Sequence, residues 1–340
     1  MTAIPDDILF AYADRVKDKV VIITGGANGI GKETALRFAS YGAKVVIGDL
    51  DVARSTKLVS DIEQTGGQAT SIKCDVTQWD DTVALFQLAI AKYGQVDIVV
   101  PNAGISEAGD FETVKFKDGI PIKPGMLTIE VNLLGVLYTT HLAQHYLLVN
   151  QKHGDLKAIV LIGSMASWSG IPKAELYTAS KHAVLGMMRS LHIPLELKCI
   201  RIAVIHPFFA DTAIVPIPAR LFLAGIPLTP VPRIGGAIFY AATNPDPATN
   251  GCAWLLPDNG PVFLVPKEEF KLGVYKMIDD RVNSLLVGAK GLHYYSRLLR
   301  DLWSIAGKPI VTTGLGVFLA KTVWDNKELI LHNARTYIPQ

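Results

Sequence analysis

Cysteine is scarce in this 340-residue chain, and its three cysteines, Cys74, Cys199 and Cys252, stand far apart. That scatter offers no disulfide framework and no metal-ligand spacing, so no metal is expected and a reducing, cytoplasmic setting is. Excess charge is also lacking: the net charge is +2, with no basic block, which argues against nucleic acid as a partner. No apolar run reaches the roughly 18–20 residues of a membrane-spanning helix. The N-terminus, MTAIPDDILFAYADRVKDK, lacks the basic-then-apolar layout of a signal peptide. Internal repeats and low-complexity segments are absent.

What the chain has is apolar content, 49% of its residues, enough to bury a large core. Short β-branched runs alternate with helical patterns: KVVIITG (19–25), AKVVIGD (43–49), QATSIKCDV (68–76), VDIVVPNAG (96–104), LKAIVLIG (156–163), CIRIAVIHP (199–207) and GPVFLVP (260–266). Runs without polar alternation are strands buried on both faces, and intervening helices make such strands parallel. The expected fold is α/β, a doubly wound, Rossmann-like parallel sheet over residues 1–266, with a helical C-terminal appendage over 267–340.

Two stretches break the rhythm. Residues 208–233, FFADTAIVPIPARLFLAGIPLTPVPR, are rich in proline and apolar side chains, as expected of a lid over a lipophilic pocket or of a buried connector. The tail carries eleven Lys/Arg against seven Asp/Glu. Ile278, Val282, Leu285, Leu286, Leu298, Leu299 and Leu302 fall at helical spacing there, and a second apolar run, 310–320, is about half a bilayer span. Its open fates are packing on its own subunit, on a neighbour, or on a membrane surface; packing on protein is the expectation.

Chemistry concentrates at three places. The turn Thr24-Gly25-Gly26-Ala27-Asn28-Gly29-Ile30-Gly31 joins the first long strand to a helix, where glycines admit a pyrophosphate to a helix N-terminus. Asp49 ends the next strand and is followed by Leu50 and Asp51. A carboxylate there accepts the ribose hydroxyls of NAD and repels the 2′-phosphate of NADP; a solvated strand-end acid is the bland alternative. Tyr177 and Lys181 lie one helical turn apart, a spacing that lets an ammonium draw a phenol toward neutral pH but that an ordinary surface pair shares.

These motifs stand in an order that resembles the short-chain dehydrogenase/reductase family over residues 15–265. Thr24–Gly31 matches TGxxxGxG, and Cys74-Asp75-Val76 the acidic site near the adenine. Asn102-Ala103-Gly104 matches NAG, Asn132 stands at the family asparagine, and Ser164 precedes Tyr177-Thr-Ala-Ser-Lys181, which matches YxxSK. The resemblance implies that Tyr177 is the acid/base, that Ser164 orients the substrate oxygen, that Lys181 holds the nicotinamide ribose and steadies the phenolate, and that Asn132 anchors a water in a proton relay. Pro207 and Thr212 join the cofactor contacts, and Trp168 and Phe208 fall beside the substrate. Two positions depart from the family pattern: Pro101 replaces an asparagine before NAG, and Phe208 replaces the glycine after Pro207. His182, His141 and His145 are expected on helix surfaces or in packing.

The reading is an NAD-dependent oxidation of a lipophilic secondary alcohol of terpenoid, steroid, fatty-acid or polyketide type, by a homodimer or homotetramer. A nucleotide-binding scaffold without catalysis is the alternative, and it would predict damage to the four catalytic positions that the sequence does not have.

Overall fold

The computed structural model describes residues 1–210, 212, 215 and 223–268, and in the tail residues 274, 276–281, 300, 303 and 308–327. Residues 211, 213, 214 and 216–222 of the apolar loop 208–233, and tail positions Val282, Leu285, Leu286, Leu298, Leu299 and Leu302, lie outside the described residues. The chain forms two compact units, Met1–Leu272 and Gly273–Gln340.

The strands of the first unit are β1 (Thr2–Ile4), β2 (Val20–Thr24), β3 (Lys44–Asp49), β4 (Gln68–Lys73), β5 (Ile98–Pro101), the small hairpin β6 (Phe116–Lys117) and β7 (Ile120–Pro121), β8 (Ala158–Ile162), β9 (Arg201–Pro207), β10 (Ala253–Leu256) and β11 (Val262–Val265). Its main helices are α1 (Gly29–Ser40), α2 (Val52–Gln64), α3 (Trp79–Tyr93), α4 (Leu127–Ile129), a π turn (Glu130–Gly135), α5 (Val136–Tyr146), α6 (Glu175–Glu196) and α7 (Val231–Thr243). The main sheet runs β1-β11-β10-β9-β8-β5-β2-β3-β4. From β10 to β4 neighbours are parallel, while β11 turns back antiparallel on β10 and β1 pairs antiparallel with β11. The sheet is therefore doubly wound, as its apolar runs imply, and the three-residue β1 forms its outer edge beyond β11.

Alternation within each run explains burial on both faces. Val21, Ile23, Val45, Ile47, Val160 and Ile205 enter one core with Phe38 of α1, Leu58 of α2 and Phe239 of α7. Val20, Ile22, Val46, Val99, Ile159 and Val204 enter the other with Phe86 of α3, Ala143 of α5 and Met188 of α6. At the N-terminal edge of the sheet, Asp97 and Lys157 form an ion pair at 3.0 Å in which each side chain is 1% exposed. Asp97 also accepts Val20 N–H at 2.7 Å, and Lys157 also donates to Val96 O at 2.8 Å. β3 and β5 flank β2, so the chain order reverses there, and in such sheets ligands bind at the C-terminal ends of the strands at that point.

In the second unit, a further helix, α8, runs Lys308–Asp325. Val317, Phe318, Leu319 and Trp324 on it are exposed. Among the described residues no helix is long and apolar enough to cross a membrane.

Candidate active site

The loop after β2 turns sharply because Gly25 and Gly29 adopt φ of +62° and +51°, a region that L side chains avoid. Gly31 is required for a different reason: a Cβ there would lie 2.2 Å from Gly25 O. Asn28 caps α1 by accepting Gly29 N–H at 2.9 Å. Asp49, at the end of β3, accepts Ala27 N–H and Asp51 N–H, both at 2.9 Å, which aims its carboxylate at the turn. Leu50 beside it is exposed, and the nearby cation Arg54 is paired with Asp51 at 3.3 Å.

Asn102 locks this turn to β5. Its amide donates to Thr24 O at 3.0 Å and Gly25 O at 2.9 Å, while Thr24 Oγ1 accepts the N–H groups of Asn102 and Ala103. Pro101 needs no N–H here, since the locking is done by the residue after it. Cys74, Asp75 and Val76 follow β4. Asp75 accepts Thr77 N–H at 2.9 Å, Val76 packs under Gly135, and burial pushes the Cys74 thiol up to about 12, so it has no nucleophilic role.

The chemistry-bearing side chains converge from β8, the π turn and α6. Ser164 follows β8 and caps a short 3₁₀ turn, Met165–Ser167, its Oγ accepting Ala166 N–H at 3.1 Å. Tyr177 lies in the first turn of α6, and its buried phenol is close enough to the Ser164 hydroxyl to feel its pull on the proton. Lys181, one turn on, sends its ammonium to Ile162 O at 3.0 Å and stands 5.6 Å from the centroid of the Tyr177 ring. Burial draws Lys181 down to about 8. From the spacing of Tyr177 and Lys181 the phenol would be drawn down too. Among the protein's own groups, however, the largest influence on Tyr177 is burial, which pushes it up, with the Ser164 hydroxyl opposing.

Asn132 lies in the π turn, fully buried; such turns recur at functional sites. Its amide clamps Ile105, accepting its N–H and donating to its C=O, each at 2.8 Å. Thr212 packs on the nucleotide turn, since a Cβ on Gly29 would stand 3.3 Å from Thr212 Cγ2. Phe208 N–H donates to Leu256 O at 2.8 Å, which extends the β9–β10 pairing past Pro207. The ring of Phe208 stands edge-on to Phe209 at 5.1 Å.

Three residues that sequence reasoning passed over belong to this site. His206, buried on β9, meets Ser164 O through Nδ1 at 2.9 Å and the Trp168 ring edge-on at 5.5 Å. Burial holds it down to about 3, so it stays neutral. Ser167 Oγ donates to Lys181 O at 2.7 Å and accepts Ser164 N–H at 3.3 Å, tying the serine turn to the catalytic helix. Glu107 Oε2 accepts Tyr177 N–H at 2.7 Å. The patterns YxxSK and NAG carry no mark for these residues; each is found by tracing what holds the named ones. His182 is exposed and turns back to Thr178 O, while His141 and His145 pack against Trp79 and Tyr146.

The family model for short chain dehydrogenases matches residues 19–217. The short-chain dehydrogenase/reductase ascJ of Acremonium egyptiacum is 35% identical over 228 residues, which cover 66% of this chain and 74% of that protein. The cyclohexanol dehydrogenase of Acinetobacter sp. (strain SE19) is 30% identical over 248 residues, or 73% of this chain and 91% of that protein. Among solved structures, the 3-ketoacyl-(acyl-carrier-protein) reductase from Brucella melitensis complexed with NADH superposes with a TM-score of 0.61 at 28% identity, covering 72% of this chain and 98% of the other.

Proposed function

The chain belongs to the short-chain dehydrogenase/reductase family, and on that premise we propose that it is an NAD-dependent dehydrogenase oxidising a lipophilic secondary alcohol to its ketone. The oxidoreductase class and the use of a nicotinamide cofactor come with the family; the rest is our reading.

The choice of NAD rests on Asp49. Its carboxylate is fixed by two backbone N–H groups beside the glycine turn, and Arg54, which a 2′-phosphate would need, is engaged by Asp51. The residues present fit a dinucleotide: the turn Thr24–Gly31 has no room for a Cβ at Gly31, and Asp49 offers acceptors to an adenosine ribose. Asp75 and Val76 would border the adenine, Asn102–Gly104 and Thr212 the nicotinamide end, and Lys181 the nicotinamide ribose. When bound, the cofactor supplies the hydride acceptor.

The single observation that carries the reading is the convergence of Ser164, Tyr177 and Lys181 in one cluster. Ser164 Oγ orients the substrate oxygen, and Tyr177 Oη takes the hydroxyl proton as the carbinol hydrogen leaves as hydride. Lys181 steadies the phenolate, and Asn132 holds loop 104–108 in place through the Ile105 backbone. Trp168 and Phe208 offer apolar surface to the substrate, and a relative named a cyclohexanol dehydrogenase supports a secondary alcohol as the substrate class. The protein works in the cytoplasm as a homodimer or homotetramer on this reading. A panel of secondary alcohols assayed with NAD and with NADP tests it: reduced NAD should form with apolar alcohols, and a preference for NADP or for sugars would reject it.

A further inference from the structure

We propose that Glu107 is a positioning residue for the catalytic helix and the acceptor for a hydrogen-bond donor on the bound alcohol, an inference that rests on the dehydrogenase reading. Helix α6 begins without a side-chain cap, since Ala174 at the N-cap offers none. A first-turn amide, Tyr177 N–H, is instead taken by Glu107 Oε2 at 2.7 Å. A carboxylate at a helix N-terminus gains from the helix dipole, and a charge-assisted hydrogen bond is stronger than a neutral one.

Glu107 stands on a loop whose other bonds run to the π turn and the helix just before it. Asn132 holds both polar groups of the Ile105 backbone, and Thr128 Oγ1 accepts Ala108 N–H at 2.8 Å. Gly104 starts the loop, and a Cβ there would lie 3.3 Å from Asn132 Oδ1 and 3.9 Å from Lys181 Nζ. Residues 104–108 thus tie the end of β5, the π turn and the start of α6 into one unit. Glu107 is the tie that sets the position of α6 and, through it, where the Tyr177 phenol meets Ser164.

One oxygen suffices for that role, yet the other is buried as well. Glu107 Oε1 has no hydrogen-bond partner among the described residues, and a bare buried acceptor is costly. The second oxygen is explained when the substrate brings a donor to it. The substrate class is then a lipophilic secondary alcohol with a second hydroxyl or an amine near the carbinol.

The test uses the full chain, Glu107→Ala and Glu107→Gln, with NAD and a lipophilic secondary alcohol that carries a second hydroxyl near the carbinol, together with amide hydrogen exchange at Tyr177. In the alanine variant kcat should fall about tenfold or more, as small misplacements of catalytic groups cost. KM for NAD should stay nearly unchanged and Tyr177 exchange should quicken. Gln still accepts Tyr177 N–H, so kcat and exchange should recover. Its NH₂ cannot accept the substrate donor, so KM for the alcohol should rise about tenfold. An alanine variant with normal kcat and normal exchange overturns the positioning role, as does a glutamine variant no better than alanine. A glutamine variant with unchanged alcohol KM overturns the acceptor role. If the parent protein oxidises no alcohol, the dehydrogenase reading fails, and exchange at Tyr177 still decides whether Glu107 holds the helix.

Discussion

At the scale of single residues, the site separates groups that react from groups that hold them. Tyr177 reacts, so Tyr177→Phe should leave cofactor affinity, read by titration of NADH fluorescence, almost intact while kcat falls by about 10²–10⁴, the usual contribution of acid–base catalysis. Burial pushes Tyr177 up. As a base it must be ionised, so alcohol oxidation should rise with pH into the alkaline range and ketone reduction should not. His206 holds: it stays neutral behind Ser164, lowered by burial from 6.5 to about 3. Between those values the unfolded chain binds a proton that the folded chain refuses, so this residue lowers stability as pH falls through that window. Urea unfolding midpoints of a His206→Gln variant should therefore decline less steeply than those of the parent between about pH 6.5 and 3. Equal slopes would contradict the buried, neutral assignment.

At the scale of elements, the runs 19–25, 43–49, 156–163 and 199–207 became β2, β3, β8 and β9 because continuous β-branched stretches have few other ways to be buried on both faces. The glycine turn was legible for the same kind of reason, since few residues other than glycine tolerate its φ values. β10 was not legible: the four residues Ala253–Leu256 are too short a run to stand out. β1 is shorter still, and only its pairing with β11 makes it a strand. Nor could the sequence show that Asp97, beside the apolar run of β5, meets Lys157, beside that of β8, because nothing local marks a pair 60 residues apart. That pair pins β2, β5 and β8 together at the edge opposite the site. Asp97→Ala would leave a buried ammonium unpaired and should cost about 3–5 kcal/mol in denaturant unfolding. Replacing both partners by apolar residues should cost much less, and a single variant of normal stability would show that the pair is incidental. At the end of β3, Asp49→Ser with Leu50→Arg should move preference from NAD toward NADP by removing a repulsion and adding a phosphate partner. Unchanged cofactor preference in the ratio of kcat/KM values would contradict the role given to Asp49.

At the scale of the whole molecule, the first unit contains every proposed catalytic and cofactor residue, and the second is a separate compact unit with a net positive charge. We expect the second unit to pack on protein, as apolar stripes in a helical segment more often do than not. Deleting residues 270–340 should then cause aggregation or a changed oligomer size in light scattering. A truncated protein of unchanged size and activity, from a parent that sediments with lipid vesicles, would assign the tail to a membrane surface instead. The account as a whole turns on one assay, the formation of reduced nicotinamide by the parent protein and by Tyr177→Phe, with NAD and NADP offered separately beside a series of apolar secondary alcohols. It predicts NADH from at least one such alcohol, a marked preference for NAD over NADP, and loss of that turnover in the phenylalanine variant with cofactor still bound. Turnover undiminished in Tyr177→Phe, or none from the parent with any alcohol, would contradict it.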